Sequence, residues 1–272
     1  MISELVYTRK GSGEPLVLIH GIGHRRQAWD PIFDRLAETY DVIAVDLAGF
    51  GESPAYPVGT KYSSEVACHN LQANFEHWGI KRPHVVGNSL GGAISLELAN
   101  RGLVSSVTAL SPAGFFGRLN LLQAIFHLFV LRLSALFTPM PLLRKVLAVP
   151  ALRNAMMSSL FAHPERLDED AIVGDSLALR HARAFERTAL ANLGYHFTGM
   201  VPVPTTIAWG TRDKILPYSQ AGTAVERLPH ALHVPLPGSG HVPMVDDPDA
   251  IIELIHATVD RATGRDHLAR PA

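Results

Sequence analysis

Three residues at the ends of β-rich runs have the chemistry of a nucleophile and its proton relay: Ser89 in GNSLGG, Asp213 in WGTRDKILP and His241 in GSGHVPMVDDP. A serine hydroxyl is a weak nucleophile at neutral pH until a base within hydrogen-bond reach takes its proton, so a histidine is required. The imidazole in turn needs a buried carboxylate to hold its tautomer and stabilise its charged form. Brought together, the three would transfer an acyl group through a covalent intermediate. They lie far apart along the chain, so secondary structure has to join them.

Ser89 stands on a corner. The stretch HVVGNSLGGAISLEL begins with residues that favour an extended chain and continues after Gly92 with helix formers. A non-glycine residue on so tight a turn is expected to be strained. Glycines at 87 and 91 give the turn room, as in the G-x-S-x-G elbow that lifts a hydroxyl above the carboxyl end of a sheet. The plain alternative is a glycine-rich turn with an incidental serine. His241 follows the last β-rich run on a glycine-rich loop, ahead of a helix started by the Asp-Pro-Asp at 247–249. His230 and His233 lie before or within that strand and are poorer bases. Asp213 falls just past TTIAWG, on the sheet's ligand side.

These corners presuppose a sheet. Runs at 16–21, 41–47, 84–89, 106–112, 205–210 and 231–238 alternate with helical patterns at 30–40, 62–79 and 89–101. Strands apolar on both faces and joined by crossover helices predict an α/β domain with a mostly parallel sheet covered on both sides. Residues 118–200 hold no convincing strand, which predicts an inserted helical unit between core segments 1–117 and 201–272. Its first stretch, Leu119 to Phe137, has nearly the length of a membrane span. Asn120, Gln123, His127 and Ser134 nevertheless fall on one narrow stripe, with apolar residues on nearly every other side. The pattern predicts a lid helix packed on the domain and facing a greasy cavity, not a bare transmembrane helix.

Composition narrows the function class. A chain of 272 residues, 47% hydrophobic and with a net charge of -1, suits one large globular domain or one with an insertion, and its global charge points to no nucleic-acid partner. Cys68 is the single cysteine, which excludes an internal disulfide. It shares a helical face with Leu71, Phe75 and Trp78, a core pattern. No nucleotide or metal motif is present, and no H-x-x-x-H pair falls within a helical pattern. The N-terminal stretch lacks the apolar region of a secretory signal, so a cytoplasmic location is expected. Between Glu97 and Glu165 there is no acidic residue, while Arg101, Arg118, Arg132, Arg144, Lys145 and Arg153 are basic. A basic, apolar lid can touch an anionic membrane or greet a negatively charged substrate. The plainer reading, adopted at this level, is a solvated basic face over an ordinary apolar core.

The stretches HGIG at 20–23, DLAGFGES at 46–53, GNSLGG at 87–92, WGTRDKILP at 209–217 and GSGHVPMVDDP at 238–248 resemble, in order and strand context, those of α/β-hydrolase-fold serine hydrolases with an inserted helical cap. The order Ser89, Asp213, His241 is that family's order. The resemblance implies the α/β-hydrolase fold, Ser89 as nucleophile, His241 as base, Asp213 as its partner, and no cofactor. Some relatives carry the acid after the preceding strand, but that position reads SPAGF here. The resemblance also implies an oxyanion hole built from the backbone N–H groups of Leu90 and Ile22. His24, just beyond that loop, is a candidate for touching substrate. His20 and Asp46 are expected to stitch loops together, Trp29 and Trp209 to pack, and Asn88 to orient the elbow or fill it.

The expected reaction is hydrolysis of a carboxylic ester with a lipophilic acyl or alcohol group. A serine elbow argues against dehalogenase or epoxide-hydrolase chemistry, which uses an aspartate there. Two alternatives stay open. One is a carbon-carbon bond hydrolase of the meta-cleavage type, whose elbows often resemble GNSLGG but whose oxyanion loop usually continues Gly-Pro-Gly where this chain reads HGIGHRRQAW. The other is a slow-turnover ligand-binding receptor on the same fold.

Overall fold

The computed structural model describes residues 2–265. The chain opens on β1 (Tyr7–Lys10) and β2 (Pro15–Ile19), passes through α1 (Asp30–Ala37) to β3 (Asp41–Val45), and crosses by α2 (Ser64–His77) to β4 (His84–Asn88). It then runs through α3 (Leu90–Asn100) to β5 (Ser106–Leu110). Helices α4 (Arg118–Phe137), α5 (Met140–Leu147), α6 (Pro150–Met157), α7 (Glu169–His181) and α8 (Phe185–Ala191) follow without an intervening strand. The chain closes with β6 (Thr205–Gly210), α9 (Ser219–Arg227), β7 (Leu232–Leu236), α10 (Pro243–Asp246) and α11 (Pro248–Thr263).

Among the described residues the strands form one seven-stranded sheet in the order β1-β3-β2-β4-β5-β6-β7. β1 is antiparallel to β3 and the remaining neighbours are parallel. Side chains alternate across the sheet: Val17, Ile19, Ile43, Val45, Val85 and Val107 enter one core, and Leu16, Leu18, Val42, Ala44 and Val86 enter the other. A sheet buried on both faces explains the near-continuous apolar runs that mark its strands. β1 escaped the sequence pattern because YTRK is an exposed edge with no apolar alternation. Cys68, Leu71 and Phe75 of α2 and Trp78 at its C-cap are all buried, as their spacing predicts.

α4 packs on α7, and α5 on α6 and α7. The buried side of α4 carries Ala124, Ala135 and Arg132. The stretch Asn120–Phe137 is long and apolar enough to cross a membrane, yet only 17% of it is buried. The basic stretch therefore does not simply cover an apolar core, because much of its apolar surface faces outward.

Candidate active site

The corner between β4 and α3 has the strain its sequence predicts: Ser89 adopts φ 57° and ψ −115°. Such a conformation costs a non-glycine residue about 1–3 kcal/mol and persists only where neighbours enforce it. The Ser89 N–H donates to Leu110 O at 2.9 Å, and the Ser89 carbonyl accepts from Ala113 N at 3.0 Å. The flanking glycines are steric necessities. A Cβ at Gly87 would lie 2.1 Å from Gly91 O, and one at Gly91 would lie 2.1 Å from Ile19 O.

Past β6, the fully buried Asp213 carboxylate is held from two sides. Its Oδ1 accepts from Ile215 N at 2.9 Å and Leu216 N at 2.8 Å, and its Oδ2 lies 2.8 Å from His241 Nδ1. An ionised carboxylate only accepts, so Nδ1 carries a proton, and in the neutral imidazole that leaves the lone pair on Nε2. His241 and Ser89 line the same cavity of about 80 Å³, together with Gly21, Ile22 and Asn88. The two side chains share that cavity without a hydrogen bond between them; such contacts often tighten only when substrate is in place.

The loop carrying His241 is anchored by Asn88, which the sequence marked only for the elbow, and by residues that spacing did not reveal. Asn88 Nδ2 donates to His241 O at 2.9 Å and to Leu110 O at 3.1 Å, tying the elbow strand to the histidine. The His241 N–H donates to Leu160 O at 2.8 Å, beyond α6. Asp246 is buried and accepts from the N–H groups of Gly240, Ala162 and His163 at 2.7, 3.1 and 2.8 Å. Its partners are backbone groups from its own loop and from a segment far earlier in the chain, so the only signal in the sequence was a carboxylate close to the histidine. Asp247 does cap α11, accepting from Ala250 N at 3.2 Å.

On the other side of Ser89, the loop after β2 is fixed by His20. Its Nε2 accepts from Leu47 N at 3.0 Å, which leaves Nδ1 to donate to Gly21 O at 2.7 Å. His24 N donates to the same carbonyl at 3.2 Å. A trans peptide points its C=O and N–H in opposite directions, so fixing the Gly21 carbonyl also fixes the Ile22 N–H. Burial holds His20 down at about 4, which keeps it neutral near pH 7. Asp46 joins the neighbouring loops, accepting from Arg26 N at 2.6 Å and Glu52 N at 2.9 Å. Trp29 and Trp209 are fully buried.

His24 lines the cavity, and its Nε2 lies 3.2 Å from Asp175 Oδ2; Arg25 Nε donates to Asp175 Oδ1 at 2.8 Å. Burial pushes the Asp175 carboxyl up, but the charges and hydrogen bonds of His24 and Arg25 outweigh it and hold the group below the usual carboxylate range. Asp175 belongs to α7, so this cluster ties the helical stretch to the loop bearing Ile22.

Ile22, Leu90 and Ser89 also line a larger cavity of about 370 Å³, walled mainly by apolar side chains including Ala124, Ile125 and Leu128 of α4. Among the described residues no group of three His, Cys, Asp or Glu side chains is placed to hold a metal ion. Burial pushes the Cys68 thiol up to about 12, leaving it unreactive.

The model of the alpha/beta hydrolase family matches residues 16–254. Lipase 1 of Psychrobacter immobilis is 29% identical over 263 residues, covering 89% of this chain and 76% of that protein. The crystal structure of a membrane phospholipase A, described as a bacterial virulence factor, superposes with a TM-score of 0.75 at 26% identity, covering 96% of this chain and 86% of that one. A meta-cleavage product hydrolase from Pseudomonas fluorescens shares the fold with a TM-score of 0.74 at 20% identity, covering 96% and 95% of the two chains. The scaffold is thus common to ester and carbon-carbon hydrolases, and the site has to discriminate between them.

Proposed function

The chain belongs to the alpha/beta hydrolase family, and on that premise we propose that it is a serine hydrolase cleaving a carboxylic ester with a lipophilic acyl or alcohol group through an acyl-enzyme. One observation carries the reading: the 2.8 Å contact from the buried Asp213 to Nδ1 of His241, an imidazole that lines one cavity with the strained Ser89. Likeness to Lipase 1 of Psychrobacter immobilis supports ester chemistry.

In this mechanism Ser89 Oγ attacks the ester carbonyl as His241 Nε2 takes its proton. The oxyanion that forms is received by the Ile22 and Leu90 N–H groups, each of a kind worth about 2.7–4 kcal/mol in other hydrolases. Collapse expels the alcohol, protonated by His241, and leaves the acyl group on Ser89. A water molecule, deprotonated by the same imidazole, then releases the acid. Asp213 keeps the Nδ1 proton in place throughout. Residues 118–200 act as a cap over a core of 1–117 and 201–272, and the apolar wall that α4 contributes selects lipophilic substrates.

The reading is tested by offering p-nitrophenyl esters of increasing acyl length beside a vinylogous diketone, with fluorophosphonate labelling in parallel. Ester turnover, and a label that attaches to Ser89 and vanishes in Ser89→Ala, are expected. A preference for the diketone would assign carbon-carbon cleavage instead. A folded wild-type chain that never labels would mark a binding protein.

A further inference from the structure

α4 has three distinct sides. One is buried against α7 and the cavity, and one is the polar stripe of Asn120, Gln123, His127 and Ser134. The third carries Leu122, Phe126, Phe129, Leu133 and Phe137, all exposed, with Leu122 and Phe126 each at 65% and Phe137 at 76%. At 3.6 residues per turn these positions share one face. A contiguous apolar face in water is a marker of an interaction site, not of an ordinary surface.

We propose that this face seats α4 in the plane of an anionic lipid bilayer surface. Three observations favour that occupant. First, the flanks are basic: no carboxylate occurs between Glu97 and Glu165, Lys145 is exposed, and Arg144 offsets one of the two charges of the nearby Glu169 and Asp170, which it contacts at 2.9 and 3.1 Å. Anionic headgroups complement such a rim, whereas a second copy of this chain would set like charges against each other. Second, the face is continuous with the larger cavity, since Phe129, Leu190 and Leu193 are exposed and also line the space that reaches Ser89. A lipid surface both covers the face and presents apolar chains at that mouth. Third, α4 is knit into the protein: Arg132 donates to the carbonyls of Leu179, Arg180 and Ala182 and pairs with Glu186, and Gln123 donates to Lys214 O at 2.9 Å. Those ties keep the helix on the surface of the domain, which fits an interfacial helix and not a span.

The docking does not depend on the ester chemistry proposed above, so it is read in the full-length Ser89→Ala chain as well as in the wild type. Sedimentation is measured with phosphatidylcholine vesicles, with and without phosphatidylglycerol, at low and high salt. Binding to the anionic vesicles is expected, weakening several-fold at high salt and on pure phosphatidylcholine. The pair Phe126→Glu and Leu133→Glu should cut the bound fraction at least tenfold, with unchanged far-UV circular dichroism and unchanged fluorophosphonate labelling in the background that keeps Ser89. Lys145→Glu should weaken binding by a few-fold. No binding to either vesicle would overturn the proposal, as would equal binding to both. A stable dimer in sedimentation velocity, dissolved by Phe126→Glu, would overturn it by assigning the face to a second copy.

Discussion

At the carboxyl ends of β2, β4, β6 and β7 the chain is held by hydrogen bonds inside and beside a parallel sheet, whereas between β5 and β6 it runs through five helices joined to that edge by side chains and loop contacts. Ser89, Asp213 and His241 all lie on the sheet edge, and their conformations are enforced by buried backbone partners. The helices hold exposed Phe and Leu side chains and reach the edge through Asp175, Leu160 and the Asp246 contacts. A sheet edge held by backbone partners suits chemistry that tolerates little displacement, and a helical layer tied on by side chains suits substrate entry. The division is incomplete, because the His241 loop leans on Leu160 as well as on Asn88.

The heaviest loss should come from the edge. Asp213→Asn turns an amide toward Nδ1 and favours the wrong tautomer, so kcat should fall by about 10⁴-fold with little change in melting temperature. Steady-state ester hydrolysis and a thermal melt measure both, and a loss under tenfold would remove chemistry from that edge.

Acid should weaken the same edge chiefly through the burial of His20. His20 titrates at about 4 when folded and near 6.5 when unfolded, so between those values the unfolded chain binds a proton that the native chain refuses. Stability is therefore fully present above pH 6.5 and falls as pH drops toward 4, by on the order of 3 kcal/mol from this group. Denaturant melts at pH 7 and 5 should show the decline, and His20→Gln should flatten it. His84, held down mainly by burial, leaves a residual slope.

Asp246→Asn addresses the junction between the two regions. An amide cannot accept from all three N–H groups, and each buried donor left unpaired costs about 1–3 kcal/mol. A drop in kcat of roughly tenfold to a hundredfold, with slower fluorophosphonate labelling, is expected; unchanged labelling with a lowered melting temperature would make Asp246 purely structural.

The smallest effect is expected in the helices. Asp175→Asn weakens the tie to His24 and Arg25 by about 1 kcal/mol, given its partial exposure. If the helices govern entry, KM should rise a few-fold with kcat nearly unchanged. A fall in kcat instead would show that this tie positions the Ile22 loop.

Much of the edge was legible beforehand. The strand runs, the elbow at Ser89 and the cap at Asp247 are written in local patterns: β-branched runs, glycine spacing and an Asx residue before a helix. β1 was not legible because an exposed edge strand buries no side-chain face. Asn88 and Asp246 were seen in part or not at all, since a buried polar side chain is defined by the backbone groups that meet it. His24 was noted for its position beside the loop, but its partner Asp175 lies 151 residues further along the chain.

The amino-acid order alone settled the α/β alternation and the strand ends that carry serine, aspartate and histidine, because those features depend on neighbours within a few residues. The helical wheel of α4 likewise foretold its polar stripe. It was silent on which apolar side would be covered, and tertiary packing decided that one faces the cavity and another faces solvent. Apolarity belongs to a residue, but burial depends on which distant parts of the chain arrive to cover it.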